Sequence, residues 1–299
     1  MNAPIAWMNG SIVPYSQTAV SVWDLGVVAG ATITEMVRTF RHKPFRLEQH
    51  VERLMASRQA LGFPTAHSAS ELISAVCDVV RYNSALIPPE SDLGIVLFAT
   101  AGSNVTYLGY SDAASTTVVH SFELPFALWR ESFTNGLRLR IPSIRQIPPD
   151  CFSVAHKVRN RLHWWLADQE VARQEPGSKA LLLDQDGFVT ETSTSCFYMV
   201  RNGIIVTSDR SVLNSLSCKV IEELADSLGI PFEKRSIQVS ELAEADEAFV
   251  SSSVVCVVPV SQIDGRAVGS GQRGLVFRKL LTAWSELAGF DIERQMLNC

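Results

Sequence analysis

Ser153-Val-Ala-His-Lys157-Val-Arg-Asn160-Arg161-Leu-His-Trp164-Trp165 stands near the middle of the chain. It sets a lysine just ahead of a helix that carries an apolar face through Arg173. Further on, Leu181-Leu-Leu-Asp-Gln-Asp186-Gly187-Phe-Val-Thr-Glu191 reads as a strand, a turn and a second strand ending on a carboxylate. A lone lysine is usually a solvated surface group, and a glutamate after a strand usually faces water. The two residues gain chemical meaning only if the rest of the chain supports them.

That meaning is specific. A lysine amine forms a Schiff base with an aldehyde when its pKa is depressed or the imine is stabilised. A buried carboxylate keeps a pyridine nitrogen protonated and makes the ring an electron sink. Lys157 and Glu191 presented in this way are what pyridoxal 5'-phosphate (PLP) chemistry asks for, provided a phosphate site is also present.

The bounds permit an enzyme of this kind. The 299 residues suggest one large or two ordinary domains, and 46% hydrophobic with 19% charged residues supports a sizeable core. A net charge of −5 argues against nucleic acid and leaves no polybasic membrane patch. No run spans a bilayer, and the first residues lack a signal-peptide pattern, so a cytoplasmic protein is expected. Cys77, Cys151, Cys196, Cys218, Cys256 and Cys299 are scattered, with no C-x-x-C pair, and read as reduced thiols. The histidines are dispersed, so no metal centre is expected.

Around the central stretch, Asn9-Gly10 between apolar runs marks a hairpin, and Ile33 to Phe40 reads as a strand. Leu47 to Leu61 is an amphipathic helix ended by Gly62, with His50 and Arg53 as neighbours on it. A surface ion pair of Arg53 with Glu48 or Glu52 is one account of that arginine. A second helix follows over Ser70 to Tyr82, then strands over Leu93–Ala99 and Thr116–Phe122. The expected division is a smaller α/β domain over 1–123, an irregular linker over 124–136, and a larger domain over 137–299 carrying Lys157.

In the larger domain, Ser217 at a helix start could cap a free N–H or mark an anion site. Ser251-Ser252-Ser253 after a strand could form a nest for phosphate oxygens or satisfy its own turn. Gly269-Ser-Gly271-Gln-Arg-Gly274 matches G-x-G-x-x-G, but no βαβ unit follows, so it reads as a glycine-rich loop.

In this order the parts resemble the fold-type IV PLP enzymes, the class IV aminotransferases. That family includes branched-chain and D-amino-acid aminotransferases, (R)-selective amine transaminases and aminodeoxychorismate lyases. The likeness runs over nearly the whole chain: Val22-Trp-Asp24-Leu-Gly26 with Gly30, His50-Val-Glu-Arg53-Leu, Lys157, Asp186-Gly187 to Glu191, and Phe249-Val-Ser-Ser252-Ser253. It implies two α/β domains with the cofactor between them, and a homodimer whose pocket lies at the subunit interface. It implies Arg53, Leu216, Ser217, Ser252 and Ser253 at the phosphate, Lys157 as imine partner and proton carrier, and Glu191 on the pyridine nitrogen. Ala29, Thr34, Arg161 and Val254 fall at substrate positions.

The implied activity is transfer of an amino group between an amino acid, branched-chain by default, and a 2-oxo acid. A lyase releasing pyruvate from aminodeoxychorismate shares every cofactor residue, and Lys157-Val-Arg-Asn160-Arg161-Leu is similar to that branch. A PLP-binding protein of little turnover is the third possibility. Ala29 and Thr34 replace aromatic residues common in the family, and Thr106 stands about where D-amino-acid enzymes carry an arginine. Arg159 and Arg161 could meet substrate carboxylates or lie on the surface.

Overall fold

The computed structural model describes residues 3–64, 66–109 and 114–298. Cys299 lies outside them. The chain forms two compact units, one from the residues through Leu124 together with His156–Asn160, the other from Pro125–Ala155 and Arg161 onward.

The first unit is built on β1 (Ile5–Met8), β2 (Ser11–Pro14), the single turn α1 (Leu25–Val28), β3 (Thr32–Phe40), β4 (Lys43–Pro44), α2 (Leu47–Ala60), α3 (Ala69–Asn83), β5 (Leu93–Thr100), the turn α4 (Val105–Leu108) and β6 (Thr117–Glu123). Six strands pair antiparallel in the order β2-β1-β6-β5-β3-β4. Strand side chains alternate between faces. Ile33 and Val37 of β3, Ile95 and Leu97 of β5, and Val119 of β6 therefore bury against Val51 and Leu54 of α2 and Leu72, Val76 and Val79 of α3. A capping box starts α3: the Ser68 hydroxyl accepts the Glu71 N–H, and the Glu71 carboxylate accepts the Ser68 N–H.

The second unit contains α5 (Phe126–Asn135), β7 (Leu137–Arg140), α6 (Leu162–Gln174), β8 (Lys179–Leu183), β9 (Val189–Thr192), β10 (Cys196–Arg201), β11 (Ile204–Thr207), α7 (Leu216–Ser227), β12 (Phe232–Lys234), β13 (Glu247–Ser252), β14 (Cys256–Ile263), β15 (Arg266–Ala267), α8 (Leu275–Ala288) and α9 (Ile292–Asn298). Its mixed sheet runs β12-β11-β10-β13-β14-β7-β8-β9, with β15 paired to β14. The pairs β11–β12, β14–β7 and β7–β8 are parallel. Phe197, Met199, Val206, Val250, Val258 and Val260 belong to its main core, while Trp164, Ala167 and Val171 of α6 pack on Ala180 and Leu182.

Two expectations change. Residues 124–136 are not an irregular linker: α5 forms there because Phe126 and Phe133, seven residues apart, share a buried helical face. The lysine segment does not belong to the larger unit. Residues 156–160 cluster with the first unit, because 157–159 adds to β3 as a short extended piece. Thr34 N–H donates to the Lys157 carbonyl at 2.9 Å, and Val158 bridges antiparallel to Ile33.

Candidate active site

Within the first unit the site grows from β3. Glu35 sits between Ile33 and Val37 in the alternation, so the pleat turns its carboxylate toward α2. There it is 1% exposed and meets two residues one helical turn apart. Arg53 grips it side-on, Nε to Oε1 and Nη2 to Oε2, each at 2.6 Å. His50 Nδ1 lies 2.7 Å from Oε2. Burial alone would raise the Glu35 pKa, but the hydrogen bonds from His50 and Arg53 outweigh it and lower it to about 2. Burial pushes the His50 pKa down despite Glu35, so a neutral imidazole donates to an ionised carboxylate. Arg53 thus has a buried carboxylate partner in Glu35. The signal for Glu35 was in the sequence: a charge at an apolar position of a strand needs a partner.

Lys157 stands on the edge of the same strand. Val158 packs against the core beneath α2 and α3, Arg159 reaches the Phe98 ring, and the Lys157 charge is felt by His50. Gly30 is fixed by this arrangement: its φ is +65°, and a Cβ there would sit 3.4 Å from the Asn160 side chain. Ala29 ends α1. The Thr34 hydroxyl is spent on the Leu97 carbonyl at 2.9 Å.

Within the second unit, Glu191 lies on β9 and accepts the Leu213 N–H at 3.0 Å. Arg161, expected near a substrate carboxylate, precedes α6 and lies in the field of Glu191 and Asp168; burial lowers its pKa, and the two carboxylates partly offset that. Three residues beyond Leu213 the chain enters α7. The N-cap is Ser215, whose hydroxyl accepts the Cys218 N–H, so the capping role read for Ser217 belongs to its neighbour. Leu216 and Ser217 open the first turn, where N–H groups have no intrahelical acceptor.

Beneath that turn runs a row of buried hydroxyls that sequence reading missed. Burial keeps the Tyr198 phenol protonated, and it meets Ser251 Oγ at 2.9 Å. Ser251 donates to Ser217 Oγ at 3.0 Å, which lies 2.8 Å from Ser215 Oγ. Ser251 and Ser252 are the last residues of β13, and Ser253, Val254 and Val255 form the following turn. Ser252 Oγ accepts the Val255 N–H across it at 3.5 Å. Cys218 beside this row is lowered to about 7 by a hydrogen bond with Cys196, which the same bond and burial push up.

The glycine-rich run near the C-terminus is no anion site. Glu247 occupies the start of α8, accepting the Val276 and Phe277 N–H groups at 3.0 and 3.1 Å. A Cβ on Gly274 would collide with that carboxylate at 1.8 Å.

Comparison with known proteins follows the same lines. The family model described as amino-transferase class IV matches residues 32–263. The branched-chain-amino-acid aminotransferase of Escherichia coli K12 is 28% identical over 293 residues, covering 94% of this chain and 92% of its own. The D-alanine aminotransferase of Bacillus licheniformis is 28% identical over 278 residues, covering 92% and 94%. Among solved structures, the branched-chain amino acid aminotransferase from Thermobaculum terrenum in its PLP form superposes with a TM-score of 0.83 at 25% identity, covering 98% and 97%. The Escherichia coli branched-chain enzyme does so with a TM-score of 0.86 at 25% identity, covering 96% and 95%.

Proposed function

The chain belongs to the class IV aminotransferases, and from that premise we propose how its own residues divide the work. It is a PLP-dependent aminotransferase of fold type IV. The relatives are named as aminotransferases, and the lyase alternative gains no support from them. A PLP-binding protein of little turnover has no chemical need for both Lys157 and Glu191.

The observation that carries the assignment is in the second unit. One short piece of chain, Leu213 to Ser217, fixes the Glu191 carboxylate at one end and opens a helix N-terminus at the other. A carboxylate and an anion-seeking helix end, set by one backbone, fit a ligand with a basic ring nitrogen and a phosphate. When bound, PLP supplies the electron sink for bond breaking at the substrate's α-carbon. Glu191 holds the ring nitrogen protonated. The Leu216 and Ser217 amides, with Ser252 at the end of β13 and Ser253 of the following turn, hold the phosphate. Arg53, its guanidinium oriented by Glu35, adds a fixed positive charge for that phosphate. Lys157 binds the cofactor through Nζ and carries the proton to and from the substrate's α-carbon. Arg161 keeps a positive charge near Glu191. Ala29, Thr34 and Val254 bound the space for the substrate's side chain.

The donor is a branched-chain amino acid and the acceptor a 2-oxo acid, after the activities for which several relatives are named. The working form is a homodimer. Val22, Trp23, Val27, Val105 and Tyr107 of the first unit are large apolar residues left exposed, and the Trp23 and Tyr107 rings stack edge-on at 5.8 Å. Leu162, Trp165 and Leu166 form a second exposed apolar stripe on α6. No helix among the described residues is long and apolar enough to cross a membrane. The free cysteines fit the reducing cytoplasm.

The test is the visible absorbance of the PLP-loaded protein before and after single amino acids. L-leucine and L-glutamate should bleach the band, and Lys157→Ala should lack it. Bleaching only by D-alanine would reverse the handedness. Release of pyruvate from aminodeoxychorismate without amino transfer would restore the lyase reading.

A further inference from the structure

Two cysteines meet at the first turn of α7. Cys196 opens β10 and pairs there with Ser251 of β13. Cys218 is the third residue of α7, its N–H held by the Ser215 hydroxyl. The two sulfurs share a hydrogen bond, and the Cys218 sulfur makes another with the Tyr198 phenol. Ser215 also reaches the Cys196 sulfur, so the N-cap of α7 touches both residues. Both thiols are free.

This setting divides their chemistry. Cys196 is buried and Cys218 half-buried. The Cys218 thiol is lowered to about 7, first by the bond from Cys196 and then by Tyr198 and the Lys234 charge. Near neutral pH much of it is thiolate, the reactive form, and a helix N-terminus favours the same ionisation. Cys196 is pushed up, chiefly by its bond to Cys218, and keeps its proton.

We propose that Cys218 and Cys196 are a peroxide-sensitive pair whose disulfide loosens the cofactor's phosphate. The Cys218 thiolate attacks one oxygen of hydrogen peroxide. The O–O bond breaks, and the other oxygen leaves as hydroxide and takes a proton to become water. Cys218 is then a sulfenic acid, and the chief cause that held the Cys196 proton is gone. The Cys196 sulfur attacks the sulfenic sulfur, the S–S bond forms, the S–O bond breaks, and the departing oxygen takes the Cys196 proton as a second water. In sum, two thiols give two electrons to one peroxide. The link sets the sulfurs about 2 Å apart, closer than a hydrogen bond permits. Cys218 directly follows Leu216 and Ser217, and Ser217 Oγ is bonded to Ser251, the β-partner of Cys196. The link therefore draws the first turn toward β10 and moves the two amides from their place. This rests on the reading of those amides as the phosphate cradle. In a reducing compartment such a disulfide is transient.

The experiment is treatment of the PLP-loaded protein with hydrogen peroxide, followed by intact mass, the disulfide map of an unreduced digest, and PLP affinity by equilibrium dialysis. Wild type should lose two hydrogen atoms and link Cys196 to Cys218 before the more exposed Cys77 and Cys151 react. Its PLP affinity should fall tenfold or more, and dithiothreitol should restore it. Cys196→Ala should stop at the Cys218 sulfenic acid, trapped by dimedone. Cys218→Ser should form neither species and keep its affinity under peroxide. Absence of the link while Cys77 or Cys151 is oxidised, or a link that leaves PLP affinity unchanged, overturns the proposal. A linked protein whose reduced form never takes up PLP would instead overturn the cofactor reading, and the disulfide map would still uphold the thiol pair.

Discussion

Arg53 holds Glu35 by two parallel bonds of 2.6 Å, and the carboxylate they share is 1% exposed. This pair ties β3 to α2 and sets the plane of the Arg53 guanidinium. The Glu35 pKa is lowered from 4.5 to about 2. A depressed folded-state pKa contributes stability that is fully present above the unfolded value and lost as pH falls through the folded one. The pair should therefore contribute on the order of 3 kcal/mol above pH 4.5, draining away between about 4.5 and about 2. Urea unfolding of wild type and Glu35→Gln at stepped pH would check it. The two stabilities should converge as the pH approaches about 2; a constant gap would refute the linkage.

Breaking the pair from one side should hurt more than removing both ends. Glu35→Gln leaves Arg53 and His50 without their carboxylate and should cost about 3–5 kcal/mol, the range for one partner lost from a buried ion pair. Adding Arg53→Met should cost less than the sum of the single changes. A double-mutant cycle on the cofactor-free protein reads this directly, and strict additivity would mean the two residues do not act as a unit.

Backbone amides make up much of the proposed phosphate cradle, and proline can test one of them. Ser215 is extended, with φ −80° and ψ 135°, the conformation a following proline requires. Leu216 is the first helical residue, where proline is tolerated because its missing N–H has no helical acceptor. Leu216→Pro should thus keep the helix and remove one amide from the cradle. Its PLP affinity should fall about tenfold or more below that of Leu216→Ala, the control for the buried side chain. Equal affinities would take the amide out of the site.

Glu191 accepts the Leu213 amide. Glu191→Gln keeps the shape and the Leu213 hydrogen bond but removes the charge that would protonate a ring nitrogen. PLP should remain bound, and turnover should slow by about 10²–10³-fold, the scale of losing one preorganised electrostatic contact. Turnover near wild type would refute the electron-sink role.

What the sequence revealed and what it hid divide along physical lines. Strands β3, β5 and β6 and helices α2 and α3 were legible because one face of each is apolar at its own period. Glu191 was legible because Asp186-Gly187 marks the turn before it. Lys157 could be named, but not its attachment to β3, because three extended residues carry no periodic signal. Helix α5 was missed because two phenylalanines on one face are too few to outweigh the surrounding loop pattern. The Tyr198–Ser251–Ser217 row was hidden because its members come from three separate elements.

Glu247 shows why a motif can mislead. Gly269 to Gly274 precedes a helix, as a phosphate loop would, but the chain fills that helix end with its own carboxylate. Glu247→Gln should keep acceptors for at most one of the two amides and lose the charge that favours the helix dipole, costing about 1–2 kcal/mol. Because α8 is outside the proposed site, PLP affinity should not change. Gly274→Ala should be worse, since its methyl group needs the space the carboxylate occupies. Thermal unfolding of the two variants would rank them. A Gly274→Ala protein as stable as wild type would mean that Glu247 does not hold this helix end.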